Sequence, residues 1–407
     1  MRALLVVTAL AAAMPLRAQT VNCSSLPHPV WLEIGDTQEQ LIKTLGAHLA
    51  SSTAHPLTLV YHTNGSCTNV ADAYAQPPNK LTVTMNYVPA GFNPATASPT
   101  CVNDIAGGHV IDVANSALFV SSCTSAPPKP ANVSVVQGPI QAYTLVVPNG
   151  SSQTAITAEE AYMVFGFGNN DGFGPATPLS PWNDTAFMFT RPSTKSTLLT
   201  WVASLSVPGS DAAHTFTPAK FLGTPEPAST DVVSHVTTST SPEKTIGLLG
   251  AEVFDANPTA LKELAFQWWG QTHAYYPDST LGAHDKKNLR DGHYAIWSPT
   301  FWIENLDAQG APANPDADFV IQLILGQQQT LETNPLLDVV SVGLVPSCAM
   351  AVNRTVEGGP LSVFNPAPSC SCFYEANVPG GHSACATCSA TTPCQSGTCR
   401  AGFCEAR

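Results

Sequence analysis

From residue 29 onward the sequence repeats one unit: a short apolar run, a turn of small or polar residues, then a segment with apolar residues at helical spacing. PVWLEI (29–34) has the composition of a buried strand, and Gly35-Asp36-Thr37 forms a turn. In 37–50, Leu41, Ile42, Leu45 and Leu49 recur at the three- and four-residue spacing of one helix face. Asp36 with Glu39, or Thr37 with Gln40, gives that helix a capping-box start. PLTLVYH (56–62), the turn TNGSC and the helical TNVADAYAQ repeat the unit. LTVTMNYV (81–88) alternates as a strand, and HVIDVANSALFV (109–120) holds another short one. Parallel strands need a crossover, which a helix supplies, so the alternation predicts an α/β fold with a largely parallel sheet.

The second half keeps the rhythm. Residues 125–136 are Pro-rich and polar before turning apolar and read as a crossover. QAYTLVVP (141–148) reads as a strand, and AITAEEAYMVFGFG as a helix or helix–strand unit ending in a Gly-rich turn. AFMFTR (186–191) is a strand, PSTK a turn, and a helix runs from about Ser196 to Ser206. TIGLLGAEVF reads as a strand and PTALKELAFQWWG (258–270) as a helix opened by Pro258. HYAIWSPTFWIEN and DFVIQLILGQ complete the body, and a chain of 407 residues has room for two or three domains. From Pro346 the sequence turns to Cys, Ser, Thr, Gly and Pro without periodicity. Residues 347–407 are therefore expected to form a small module held by crosslinks, lacking the apolar surface for a core.

The cysteines fall in two groups. Cys23, Cys67, Cys101 and Cys123 lie in the first third; Cys348, Cys370, Cys372, Cys385, Cys388, Cys394, Cys399 and Cys404 lie at the end. Both counts are even, and disulfides within each group are expected if the chain is exported. The lone CxxC at Cys385–Cys388 has no second pair to make a zinc site and no strand–helix unit to make a redox centre. Export is expected from residues 1–18: Arg2, an apolar run from Ala3 to Met14, then small residues to Ala18 have the layout of a signal peptide. That run is well short of the roughly 20 residues of a membrane span. Cys23 follows Thr20-Val21-Asn22, without the small residue that precedes a lipidated cysteine. A secreted or periplasmic protein, not spanning a membrane, is the expectation.

Charged residues make up 11% of the chain and its formal net charge is −13. These values argue against nucleic acid or an anionic membrane as partner, since both need clustered cations. A small anion stays open, because local N–H donors hold one inside an acidic protein. No HExxH, GxGxxG or GxSxG occurs, so neither a metal, a cofactor nor a hydrolase triad is expected. What remains are three turns at strand-to-helix junctions: Gly35-Asp36-Thr37, Asn64-Gly65-Ser66 and Lys195-Ser196-Thr197. Each places small or hydroxyl residues at a helix start, where unpaired N–H groups and the helix dipole favour anions. Read singly, each is more readily an ordinary helix cap, and Arg191 is equally a salt-bridge residue or an anion ligand.

The stretch LVYHTNGSCTNVADAYAQ resembles the strand, Gly-Ser turn and helix of the phosphate-binding type 2 periplasmic solute-binding proteins. TRPSTKSTLLTWVASL resembles that family's second-half motif, and DVANSALF its Asp-x-Gly-Ala-Ser-Asp segment. TIGLLGAEVF and HYAIWSPTFWI follow in the order of its later strands, so the resemblance spans about 29–346. It implies two α/β lobes, 19–140 with 293–346 and then 141–292, closing over a small oxyanion such as phosphate, with an ABC importer as the family's usual partner. Thr37, Gly65, Ser66, Ser116, Arg191 and Thr197 match the binding pattern. Ala117 and Ser193 stand where the family carries carboxylates, and Lys195-Ser196-Thr197 replaces its Ser-Gly-Thr. Without a carboxylate acceptor, the basis for preferring a protonated oxyanion over sulfate is gone. The competing expectation is a secreted or cell-surface interaction protein that keeps the fold around a degenerate pocket.

Overall fold

The computed structural model describes residues 21–166, 179–207, 217–327 and 334–405; the expected signal segment 1–18 lies outside them. Strands β1 (Pro29–Gly35) and β2 (Thr58–Asn64) pair in parallel along their whole length. Helix α1 (Glu39–Ser51) connects them and buries Leu41, Ile42, Leu45 and Leu49, the face expected from their spacing. Helix α2 (Ser66–Tyr74) follows β2, and β3 (Val113–Ser116) joins β1 in parallel on its other side. Strand β4 (Val133–Pro148) then leaves this lobe. The second lobe contains α3 (Ala158–Phe165), β5 (Met188–Thr190), α4 (Ser196–Leu205), β6 (Thr224–Pro225), α5 (Ser229–Thr237), β7 (Ile246–Gly250), α6 (Ala251–Asp255) and β8 (Leu261–Glu263). Strand β9 (Trp297–Asn305) returns to the first lobe, which α7 (Pro315–Ile324) and α8 (Pro335–Ser341) complete.

Among the described residues the strand order is β2-β1-β3-β9-β4 in the first lobe, with the short antiparallel strands Met85–Tyr87 and Thr100–Cys101 beyond β2, and β6-β5-β7-β4 in the second. Each lobe thus has three parallel strands followed by an antiparallel one that comes from the other lobe. Strand β4 is shared: Val133–Ala142 pair with β9, and Tyr143–Val146 with β7. Two strands therefore cross between the lobes, giving the two-lobed α/β fold expected from the sequence. The crossing is tight. A Cβ on Gly138 would stand 2.6 Å from the Trp302 indole nitrogen, so only glycine lets β4 pass.

Both faces of each sheet are covered. In the first lobe, Leu32, Leu45, Tyr61 and Ile321 pack on one side and Val70, Leu118 and Ile303 on the other. In the second, Tyr143, Trp201, Leu248 and Trp297 face one core, and Val146, Phe189 and Val232 the other. Three local expectations are corrected. Residues 258–270 form no helix: Leu261–Glu263 pair with β4 and Ala265–Gln267 with Ala155–Thr157. Leu261, Leu264, Ala265 and Phe266 are all buried, and tertiary pairing overrides a helical pattern that would bury one face alone. Residues 81–88 split into Lys80–Leu81 and Met85–Tyr87, pairing with different partners. The expected crossover at 125–136 is already β4 from Val133.

All twelve cysteines are paired, and the pairs respect the two groups: Cys23–Cys101 and Cys67–Cys123, then Cys348–Cys370, Cys372–Cys385, Cys388–Cys399 and Cys394–Cys404. The composition change at Pro346 does not coincide with a gap in packing. Helix α9 (Ser371–Asn377) places Phe373 and Tyr374, with Cys370 and Val378, in the second-lobe core. Arg354 lies 4.0 Å over the Trp297 ring and donates to the Ala295 carbonyl at 3.0 Å. Glu357 accepts from the Phe119 amide and the Ser298 hydroxyl. The expectation of a tail without core contacts is therefore corrected, and Ala401 and Phe403 also pack against this core. The four apolar residues were diluted in the average composition, yet they share one face of a short helix.

Candidate functional site

Parallel strands end on a common edge, so the turns at their carboxyl ends are neighbours, and in open α/β sheets that edge is where ligands bind. Here the first-lobe turns after β1 and β2 face the second-lobe turn between β5 and α4. Hydrogen bonds join them directly: the Cys67 amide donates to the Thr194 carbonyl at 3.1 Å, and the Lys195 side-chain Nζ to the Asn64 carbonyl at 3.1 Å. Gly65 is required there, because a Cβ would stand 2.8 Å from the Thr194 carbonyl oxygen. The three turns singled out in the sequence converge.

At their centre lies Arg191, wholly buried at the end of β5. Its NH2 donates to Asp36 Oδ2 at 2.7 Å and to the Pro227 carbonyl at 3.0 Å, and its NH1 to the Ser229 hydroxyl at 2.5 Å. Ser229 in turn donates to Asp36 Oδ2 at 3.0 Å, and Lys195 Nζ reaches Asp36 Oδ1 at 3.2 Å. Both carboxylate oxygens of Asp36 are thus engaged by the opposite lobe. Burial alone would raise the Asp36 pKa; the charges of Arg191 and Lys195 and the bonds from Arg191 and Ser229 outweigh it and hold the group below the usual carboxylate range. Two cations and one anion leave the cluster one unit positive. Arg191 Nε and the buried Thr37 hydroxyl have no partner among the described residues.

The other expected ligands are distributed unevenly. Ser66 is buried and accepts from the Ala117 amide at 3.1 Å, with Thr37 and Asn115 beside it around Gly35. Ser116 is turned away, donating to the Leu118 carbonyl at 2.9 Å. The Tyr143 hydroxyl donates to the Ala117 carbonyl at 2.5 Å and is within reach of the Ser196 hydroxyl. Ser196 and Thr197 are buried at the start of α4. Ser193 does not join the cluster: it is exposed and lines a groove of about 930 Å³ with Ser122–Ser125 and the outer face of α4. Behind the cluster, Gln38 donates to Gln141 at 2.9 Å and Gln141 to Glu252 at 2.5 Å, linking the first-lobe turn to the crossing strand and to α6. Burial pushes the Glu252 carboxyl up to about 8.

Sequence reasoning missed Asp36, which it took as a helix cap. Its side chain makes no cap; α1 begins from Gln38 without a side-chain bond. Ser229 was missed as well, although it follows β6 as Ser66 follows β2: strand, small-residue turn, helix.

No protein-family model matches the chain, and no curated protein sequence matches it. Solved structures similar to it include a possible phosphate binding protein from Planctomyces limnophilus, 12% identical, covering 79% of this chain and 94% of that one with a TM-score of 0.42. A putative phosphate ABC transporter substrate-binding protein with bound phosphate from Clostridium perfringens is 10% identical over 78% and 99% of the two chains, with a TM-score of 0.48. The OxyR2 regulatory domain of Vibrio vulnificus, as a mutant, is 10% identical over 74% and 94%, with a TM-score of 0.37. Among the described residues no helix is long and apolar enough to cross a membrane.

Proposed function

We propose that the chain is an exported, two-lobed binding protein, not an enzyme, that holds a small oxyanion between its lobes for uptake or sensing. One observation carries the reading: a wholly buried guanidinium at the meeting of the lobes, with a lysine beside it, already grips a two-oxygen anion. A buried arginine is costly unless a planar anion answers it, and the cluster keeps one positive charge, an unpaired Nε and an unpaired hydroxyl in hand. Ala117 supplies no carboxylate acceptor, so phosphate is taken with little preference over sulfate, and an ABC importer is the partner that the family resemblance implies. Calorimetric titration with phosphate and with sulfate tests this. The wild type should bind both weakly, Arg191→Ala neither, and Ala117→Asp should shift preference toward hydrogen phosphate. Tight, phosphate-selective binding by the wild type would contradict the assignment of Ala117. A second reading has support in one feature, the engagement of Arg191 by Asp36: an interaction protein with a degenerate pocket would give no heat with either anion.

A further inference from the structure

We propose that Asp36 is a tethered competitor for the anion, latching the lobes shut with the chain's own carboxylate, so that an external oxyanion binds only by displacing it. This rests on the oxyanion reading above. Asp36 belongs to the first-lobe turn after β1, whereas Arg191, Lys195 and Ser229 all belong to the second lobe. Every bond the carboxylate makes to these side chains is therefore broken when the lobes part, and closure needs no ligand. The contact has the chemistry of a bound ligand: one charge-assisted bond from Arg191 NH2, a second cation and a hydroxyl on one carboxylate. The Asp36 side chain is 18% exposed, so it has a way out to water when an anion takes its place, whereas Arg191 at 0% cannot leave.

A tethered group competes at an effective concentration on the order of millimolar or higher. A free anion of similar intrinsic affinity must exceed that, which makes the wild type a receptor for abundant anion only. Removing the carboxylate also raises the cluster from one positive charge to two. Asp36→Asn keeps the shape and loses the charge. It should bind sulfate and phosphate at least tenfold more tightly than the wild type, and small-angle scattering should show it expanded without anion and compact with it. The wild type should be compact in both conditions. Hydrogen exchange at the Cys67 amide, whose acceptor is the Thr194 carbonyl across the cleft, reads the same latch in the unmodified protein. It should be protected without anion. Equal affinities in wild type and variant, or rapid exchange at Cys67 in anion-free wild type, would overturn the latch and leave the binding site standing. A folded Asp36→Asn protein that binds neither anion would overturn the oxyanion reading itself.

Discussion

Arg191 and Asp36 are separated by 155 residues and meet at 2.7 Å with one of them fully buried. Breaking a buried pair by removing one partner leaves an uncompensated charge, typically at a cost of about 3–5 kcal/mol. Arg191→Ala and Asp36→Asn should therefore both lower the melting temperature. Added sulfate should restore Asp36→Asn, because it takes the carboxylate's place on Arg191, and should not restore Arg191→Ala; rescue of both would place the anion elsewhere. The buried carboxyls give a second expectation. Burial raises Glu252 and Glu263 to about 8, well above the ordinary glutamate value. Between that value and about 4.5, the folded chain binds more protons than the unfolded one, so stability declines as pH rises through this window. Each pH unit of displacement is worth about 1.4 kcal/mol. Thermal melting should show the protein more stable near pH 5 than near pH 8, and Glu263→Gln should flatten the trend. At this scale the sequence showed Arg191, Lys195, Ser66 and Ser196 through their turns, since strand-end turns are local patterns. It hid Asp36, because one aspartate before a helix reads the same whether it caps the helix or crosses a cleft.

The elements that were legible are those whose burial is one-sided and local. The α1 face follows from four spaced apolar residues, and β1 and β2 follow from their apolar runs. The segment 258–270 was illegible for the opposite reason: its partner is the unpaired edge of β4, over a hundred residues earlier. Helix α9 shows the same limit. Its Tyr374 is 1% exposed and packs with Cys370 and Phe373 against the core that holds Trp201 and Trp297. Arg290 lies 4.9 Å from the Tyr374 ring and donates to Glu375 at 3.2 Å. Truncation after Pro346 would strip this face, and aromatic core losses each cost about 3–5 kcal/mol. The shortened chain should express as insoluble or strongly destabilised protein, measured by yield and melting. A soluble body melting like the full chain would show α9 to be dispensable.

For the whole molecule, the two crossing strands fix how the lobes are connected, while the contacts at the cleft fix whether they are closed. Gly65 separates these two properties. Its φ of −80° suits any residue, so an alanine there carries no backbone strain within its own lobe. The obstacle is across the cleft, where a Cβ would meet the Thr194 hydroxyl at 2.5 Å and the Thr194 carbonyl at 2.8 Å. The hydroxyl can rotate away; the carbonyl, which also accepts from the Cys67 amide, cannot without moving the turn. Gly65→Ala is thus a wedge between lobes that each fold as before. Overpacking of this size costs about 1–3 kcal/mol, and here the cost falls on closure, lowering the closed-to-open ratio by roughly ten- to a hundredfold. The variant should keep its circular dichroism, lose protection at the Cys67 amide and bind sulfate correspondingly more weakly. Thr194→Ala should not rescue it, because the carbonyl remains. If Gly65→Ala left both exchange and affinity unchanged, the lobes would be held by something other than the contacts around Asp36, Lys195 and Thr194.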